Sequence, residues 1–149
     1  MHSIAGVMIT NPERNLFYFQ LKDKTYHIIE FRNTHSFFGG LVEDGEKNID
    51  AIKRELSEEL EESAAKLISN KIKFILKHRT ILKYSHYKGK LEEFSLFESI
   101  LSTKDLIKIS NLPIKEGERG LLIKRKEINK IKFNGVEEII DKYLKLNDN

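Results

Sequence analysis

Glutamate residues recur at helical spacing in the stretch ELSEELEE, residues 55–62, and form a row. The row consists of Glu55, Glu58, Glu59 and Glu62. Positions i, i+3, i+4 and i+7 of an α-helix share a face, so these side chains would lie within roughly 100° of one another. Carboxylates this close repel and raise each other's pKa, which costs stability unless cations neutralise them. The spacing therefore predicts a site for hard divalent ions.

The residue types around this row suggest which ions and which chemistry. A ligand set of oxygen atoms only, in a chain without cysteine, favours Mg²⁺ or Mn²⁺ over zinc. Such ions suit phosphate chemistry, because they neutralise a diphosphate, orient an attacking water and stabilise the leaving phosphate. For the short run EELEE alone, a solvated helix face remains the alternative explanation.

The residues before the row extend it into a longer pattern with fixed spacing. It reads G-x5-E-x7-R-E-U-x-E-E, where U is a bulky aliphatic residue, and it resembles the signature of the Nudix hydrolases. A strand, a loop and a helix are predicted around it, which is the context that the signature needs. The matching residues are Gly40, Glu46, Arg54, Glu55, Leu56, Glu58 and Glu59.

This resemblance implies a fold and a metal site. Nudix hydrolases are α/β/α sandwiches with a mixed β-sheet between helices, and they cleave a nucleoside diphosphate linked to another group. In that family the metals are held by the glutamates that match Glu55, Glu58 and Glu59, with a carbonyl at the position of Gly39. The arginine that matches Arg54 usually pairs with the first glutamate of the signature.

The resemblance also suggests the catalytic and substrate-binding residues. A further ligand or base often comes from a loop outside the signature, and KEGE at 115–118 resembles that loop in the nucleoside triphosphate-cleaving branch. Glu116 is therefore a candidate, together with Glu55 and Glu58, to accept a proton from water. The candidates for substrate binding are Arg54, Gly40 and Phe37.

The sequence departs from the signature just after the second glutamate pair. Glu61 and Glu62 stand where the family has glycine and an aliphatic residue. Because a glycine at that point typically ends a helix, its absence predicts that the helix continues toward Leu67. Phe38 also stands where a proline often precedes the glycine pair.

The remaining elements follow from periodicity and turn residues. β-favouring runs predict strands at residues 4–10, 16–21 and 26–31, with the second and third paired. Apolar residues at spacings of three and four predict a helix from about Lys47. A hairpin of FILKHRTILKYSHY and EEFSLFESIL around KGK follows, then a short strand at 121–124 and a closing helix at 136–146. The sum is an α+β fold.

Composition sets the broad class. At 149 residues the chain is expected to form one domain, 1–149, and it lacks a long uncharged apolar run or a basic leader. We therefore expect a cytoplasmic protein that is not bound to a membrane. We expect it to be a monomer or a homodimer. Residues 43–62 hold nine acidic against three basic residues in a chain of net charge +3, so a basic body surrounds an acidic patch. This suits a polyanionic ligand held through cations.

The predicted function is Mg²⁺-dependent hydrolysis of a nucleotide or another nucleoside diphosphate derivative, foremost a nucleoside triphosphate cleaved to monophosphate and pyrophosphate. One alternative is a catalytically silent Nudix-like module that senses a nucleotide or binds a protein. Another is a hydrolase that processes RNA 5′ ends or caps, for which the basic body is the support; nucleic-acid binding is otherwise not expected. Candidates for contact with a base are Tyr18, His35, Phe37, Tyr84, His86 and Tyr87.

Overall fold

The computed structural model describes residues 2–83, 88–117 and 119–148 of the chain. Its strands are β1 (His2–Thr10), β2 (Leu16–Leu21), β3 (His35–Ser36), β4 (Phe38–Leu41), β5 (Ile72–Ile81), β6 (Leu91–Ile100) and β7 (Arg119–Lys124). Its α-helices are α1 (Asn48–Glu59), α2 (Glu62–Ser69), α3 (Thr103–Ser110) and α4 (Glu137–Leu146). Short 3₁₀ turns lie at Ile29–Phe31 and Arg125–Lys130.

The strands described form one mixed sheet around β1. This strand runs parallel to β6 along its whole length and antiparallel to β4 and β2. The predicted hairpin is present, since β5 pairs antiparallel with β6. On the other side, β2 pairs antiparallel with β3 and with β7. Gly6 of β1 pairs with Gly39 of β4 on one side and with Leu96 of β6 on the other, so β4 and β6 flank the same part of β1.

Helices cover both faces of this sheet. One apolar core holds Ile52 and Leu56 of α1, with residues of α2 and α3, against alternate residues of β1 such as Val7. The other core packs α4, through residues such as Tyr143, against Met8 of β1 and the aromatic residues of β2. The predicted α/β/α arrangement is confirmed. None of the helices in the described part of the chain is long and apolar enough to cross a membrane.

The prediction of a strand at residues 26–31 was wrong. The segment holds a 3₁₀ turn, and its Ile29 is exposed. The reason lies in the neighbours of β2, since β7 pairs with it from Leu16 to Leu21 and β1 and β3 share its other edge. No edge of β2 is left for the segment that follows it in sequence.

The prediction that α1 continues toward Leu67 was also wrong. The helix ends at Glu59, and Leu60 adopts an extended conformation with φ −120° and ψ 158°. Leu60 forms a β-bridge with Ile114, and the backbone N–H of Lys115 donates to the carbonyl of Glu59 at 2.7 Å. A contact with a distant segment thus ends this helix where the family has a glycine. As a result Glu62 begins α2 and leaves the row of carboxylates.

Helix α3 was not predicted from the sequence. Its first turn is capped by Ser102, whose side chain accepts a hydrogen bond from the backbone N–H of Asp105 at 3.1 Å. The signal was present in the sequence as STKD, a capping residue followed three positions later by an acid.

Candidate functional site

A cavity of about 700 Å³ opens at the end of the sheet where β4 pairs with β1. It begins beside α1, passes over the backbone of β4 and continues across the sheet face that packs on α4. Its volume lies in the usual range for sites that bind small molecules. The sequence-predicted residues that line it are Phe37, Gly39, Gly40, Glu55, Glu59 and Glu116.

The amphipathic pattern of α1 positions the carboxylates. Ile52 and Leu56 are fully buried under the sheet, so the neighbouring side of the helix presents its glutamates at the edge of the core. Glu59 is itself buried, with 1% of its surface exposed, whereas the Glu58 side chain is about half exposed. Glu58 does not line the cavity and lies beside it.

Two glycines of β4 bring the backbone against these carboxylates. The N–H of Gly39 donates to Glu59 Oε1 at 2.8 Å. A Cβ atom on Gly40 would lie 2.6 Å from Cδ of Glu55, so only a residue without a side chain lets that carboxyl rest on the strand. The structure thus brings the glycine pair and the glutamates of the signature together, although they are about 15 to 20 residues apart in sequence.

Arg54 ties the loop before α1 to the helix. Its guanidinium donates from Nε and Nη2 to the two carboxylate oxygens of Glu46, at 2.9 and 3.1 Å, and from Nη2 to the carbonyl of Leu41 at 2.9 Å. Its Nη1 also donates to Glu55 at 3.0 Å and reaches Glu58 at 3.4 Å. The expected pair of Arg54 with Glu46 is therefore present. The same arginine also orients Glu55 and Glu58.

The loop that carries Glu116 is held against the end of α1. The carbonyl of Glu116 accepts a hydrogen bond from Gln20 Nε2 at 2.8 Å, and Lys115 Nζ reaches the carbonyl of Ser57 at 3.2 Å. These contacts place the exposed Glu116 on the rim of the cavity beside the partly buried Glu55 and the buried Glu59. Glu118 of the same loop lies outside the described residues.

The electrostatics of the carboxylates reflect burial and mutual repulsion. Burial raises the pKa of Glu59 to about 8, and the charges of Glu55 and Glu116 act in the same direction, against Lys22 and the Gly39 amide. Burial likewise raises the pKa of Glu55, with the nearby glutamates adding to it and Arg54 opposing it. A cation placed among these groups would relieve both effects.

The oxygen atoms of these side chains are the ligand type that a hard divalent ion prefers, although their present arrangement does not surround one. Among the described residues, no group of three or more His, Asp or Glu side chains is placed to hold a metal as it stands. The carboxylate of Glu59 is engaged by Gly39, and those of Glu55 and Glu58 by Arg54. What fits is the chemistry: a cluster of oxygen donors, one of them buried, that repel one another without a cation.

The candidates for contact with a base lie in different parts of the structure. Phe37 lines the cavity, whereas Tyr18 lies in the core against α1 and His35 contacts Phe133 and the carbonyl of Lys132 instead. The other candidates, Tyr84, His86 and Tyr87, lie outside the described residues.

Lys22 is a residue of the cavity that was not predicted from the sequence. It lines the cavity directly after β2, its charge lowers the pKa of the buried Glu59, and its Nζ lies 4.8 Å above the ring of Tyr26. A single lysine among 26 basic residues carries no signal in the sequence, so only its position in the fold distinguishes it.

A comparison with protein-family models decides the classification. The model of the NUDIX domain matches residues 1–139. The chain belongs to the Nudix family. The family assignment made from the signature is thereby confirmed, and with it the general class of hydrolases that act on nucleoside diphosphate derivatives. Among curated proteins, none matches this Nudix chain.

Solved structures show the same fold at low sequence identity. The MutT protein from Methanosarcina mazei Go1 is 10% identical with a TM-score of 0.67, over 99% of this chain and 96% of that one. The Nudix domain of Shewanella oneidensis NrtR, complexed with ADP ribose, is 9% identical with a TM-score of 0.67, over 97% and 87%. A Caenorhabditis elegans Ap4A hydrolase is 16% identical with a TM-score of 0.58, over 88% and 85%. At these identities the likeness concerns the fold alone.

Proposed function

We propose that this Nudix protein is a Mg²⁺-dependent pyrophosphohydrolase that cleaves a nucleoside triphosphate to a monophosphate and pyrophosphate. The observation that carries the proposal is the meeting of Glu55, Glu59 and Glu116 at one cavity, against the glycine backbone of β4. Carboxylates that repel one another in a substrate-sized cavity suit a cation-bound diphosphate. The triphosphate is favoured over other diphosphates by the resemblance of the KEGE loop.

Each residue has a distinct role in this proposal. Glu55, Glu58 and Glu59, with the carbonyl of Gly39, would hold Mg²⁺, or Mn²⁺ in its place. When bound, the ion supplies neutralisation of the diphosphate charge and polarisation of water. Glu116, on the exposed rim, would accept the proton of the attacking water.

Basic side chains would bind the remaining phosphate charge. Lys22 lies at the diphosphate end of the cavity, where its ammonium group can contact a phosphate oxygen. Arg54 already donates to Glu46 and to Leu41, so its main role is to hold the signature loop on α1, with phosphate contact second. Gly40 and Phe37 would contact the substrate from β4 and from the residue before it.

The test is a panel of nucleotide substrates with Mg²⁺ and with Mn²⁺, scored by chromatography of the products. The panel includes nucleoside triphosphates, ADP-ribose, a dinucleoside tetraphosphate and a capped RNA. We expect Glu55→Gln and Glu116→Gln to lower turnover about a hundredfold or more, because each removes a metal ligand or a base. Glu62→Gln is the matched control, since this glutamate begins α2 and does not line the cavity.

The outcomes separate the alternatives. Nucleotide binding without turnover would identify a silent sensing module and refute hydrolysis. Cleavage of capped RNA alone, with binding that weakens steeply as salt rises, would favour the RNA-processing alternative. Equal turnover in wild type and Glu55→Gln would show that the measured activity comes from a contaminant.

A further inference from the structure

The cavity extends well beyond the α1 glutamates. Along the direction of β1, Gly39 lies beside its pairing partner Gly6, and Glu92 lies beside its pairing partner His2. These partners are four residues apart on β1, or about 13 Å at the usual rise of a strand. A diphosphate bound at the glutamates therefore leaves room for a nucleoside that reaches toward Glu92.

The floor of this far part is apolar and aromatic. Phe94 and Phe37 lie with ring centroids 5.6 Å apart and an interplanar angle of 50°. Phe94 also covers Gly6, since a Cβ atom on that glycine would lie 2.6 Å from Cζ of the ring. The missing side chain lets the ring lie close over β1. Such a floor suits the face of a planar base.

Glu92 forms a wall of this part and has a carboxylate without a strong partner. Only 16% of its side chain is exposed, and its Oε2 lies 3.7 Å from His2 Nε2, beyond hydrogen-bond distance. In the part of the chain that the structure describes, no hydrogen bond reaches this carboxyl. Burial raises the pKa of Glu92 to about 7. Donors from a ligand would satisfy oxygens that the protein leaves unmatched.

Several of the other polar groups here are already engaged or are acidic. His78 lies between Lys142 and Glu138, with Nδ1 2.8 Å from the lysine ammonium and Nε2 3.2 Å from the glutamate carboxylate. Because the ammonium group only donates, Nε2 carries the proton and donates to Glu138. Glu137 lines the same end, where the described cations include the exposed Lys83. This surplus of carboxylates disfavours a second phosphate and favours a group with N–H donors.

We infer that Glu92 determines base specificity by accepting hydrogen bonds from the exocyclic amino group of the substrate's nucleobase. The inference deepens the proposed function and rests on it for the position of the diphosphate. Guanine and cytosine offer the carboxylate this amino group, whereas hypoxanthine and uracil lack it and offer only a ring N–H. A buried acceptor left unmatched is costly, so guanine and cytosine nucleotides are preferred to their hypoxanthine and uracil counterparts.

The test uses substrate pairs that differ in the amino group, GTP with ITP and CTP with UTP. In the wild type, kcat/KM for the amino-bearing member is expected to exceed that of its partner by about tenfold or more. Glu92→Gln should reduce each ratio to below about threefold, because an amide both donates and accepts and pairs with either base. Glu93→Gln is the matched control: this neighbour points to the other face, pairs with Arg79 at 2.8 Å and does not line the cavity.

A binding measurement separates this inference from the proposed reaction. Calorimetric titration of GMP and IMP without metal reports base recognition with no turnover. Tighter binding of GMP that Glu92→Gln removes would support the inference, even if no triphosphate is hydrolysed and the proposed function fails. Hydrolysis with equal use of both members of each pair, and equal binding of GMP and IMP, would overturn the inference and leave hydrolysis standing.

Discussion

Gly39 is the backbone position where the site and the fold depend on each other most closely. Its φ of +138° lies in a region that residues with a side chain rarely adopt. A Cβ atom there would lie 2.1 Å from the carbonyl oxygen of Ala5 and 2.8 Å from Cα of Gly6. Both contacts are with the backbone of β1, which cannot rotate away as a side chain can. Gly39→Ala must therefore move β4 away from β1.

The expected cost follows from these two effects. An unfavourable backbone conformation costs about 1–3 kcal/mol, and forced overpacking costs a further ~1–3 kcal/mol. Separation of the strands also breaks the hydrogen bond from the Gly39 N–H to the buried Glu59. We expect Gly39→Ala to lose about 2–6 kcal/mol of unfolding free energy, measured by urea titration with far-UV circular dichroism.

Gly45 provides the matched control. It also has a positive φ, +78°, but no atom lies within 4 Å of a Cβ built on it. Gly45→Ala should therefore cost only the left-handed conformation, about 1–2 kcal/mol. If both variants lose the same free energy with unchanged m-values, the close approach of β4 to β1 does not constrain the site and the reasoning is refuted.

Three further variants test single contacts. Arg54→Lys replaces the two-pronged contact with Glu46 by a point donor; we expect about 1 kcal/mol less unfolding free energy by urea titration and about tenfold lower kcat/KM. Burial alone would raise the pKa of Glu98, but the hydrogen bond from Arg14 helps to hold it below the ordinary 4.5. Wild-type stability should therefore fall as the pH drops below 4.5 toward that lowered value, and Glu98→Gln should flatten this dependence in urea titrations between pH 2 and 7. Mg²⁺ should raise the Tm of the wild type in calorimetry and leave Glu59→Gln almost unchanged; an equal rise would exclude Glu59 as a ligand.

The family and the general fold could be predicted because their signals are local. The signature spans residues 40–59, and its glycine, arginine and glutamate positions are set by helix period and loop length. The strand and helix patterns of β1, β2, β6 and α4 are equally local, since each strand is a short β-favouring apolar run buried on both faces and α4 buries one face. The candidates Glu55, Glu59, Glu116 and Phe37 could thus be named from sequence, and the structure places all four at one cavity.

The end of α1 could not be predicted because it depends on a distant segment. The residues after Glu59 favour a continuing helix, as a run of charged and aliphatic side chains without glycine. The bridge from Leu60 to Ile114 and the hydrogen bond from Lys115 to Glu59 override that preference. Tertiary contacts that satisfy the last carbonyls end a helix as effectively as a capping glycine does.

The sequence by itself determined the family and most of the alternation of elements, and it named the carboxylates that are proposed to hold a cation. Only the tertiary structure decided the far part of the cavity, where parallel pairing of β1 with β6 brings His2 beside Glu92 and sets Phe94 over Gly6. It also decided that Lys22 lies near Glu59. The physical reason is range: helix and strand periods act over a few neighbouring residues, whereas these contacts join segments that meet only when the sheet forms.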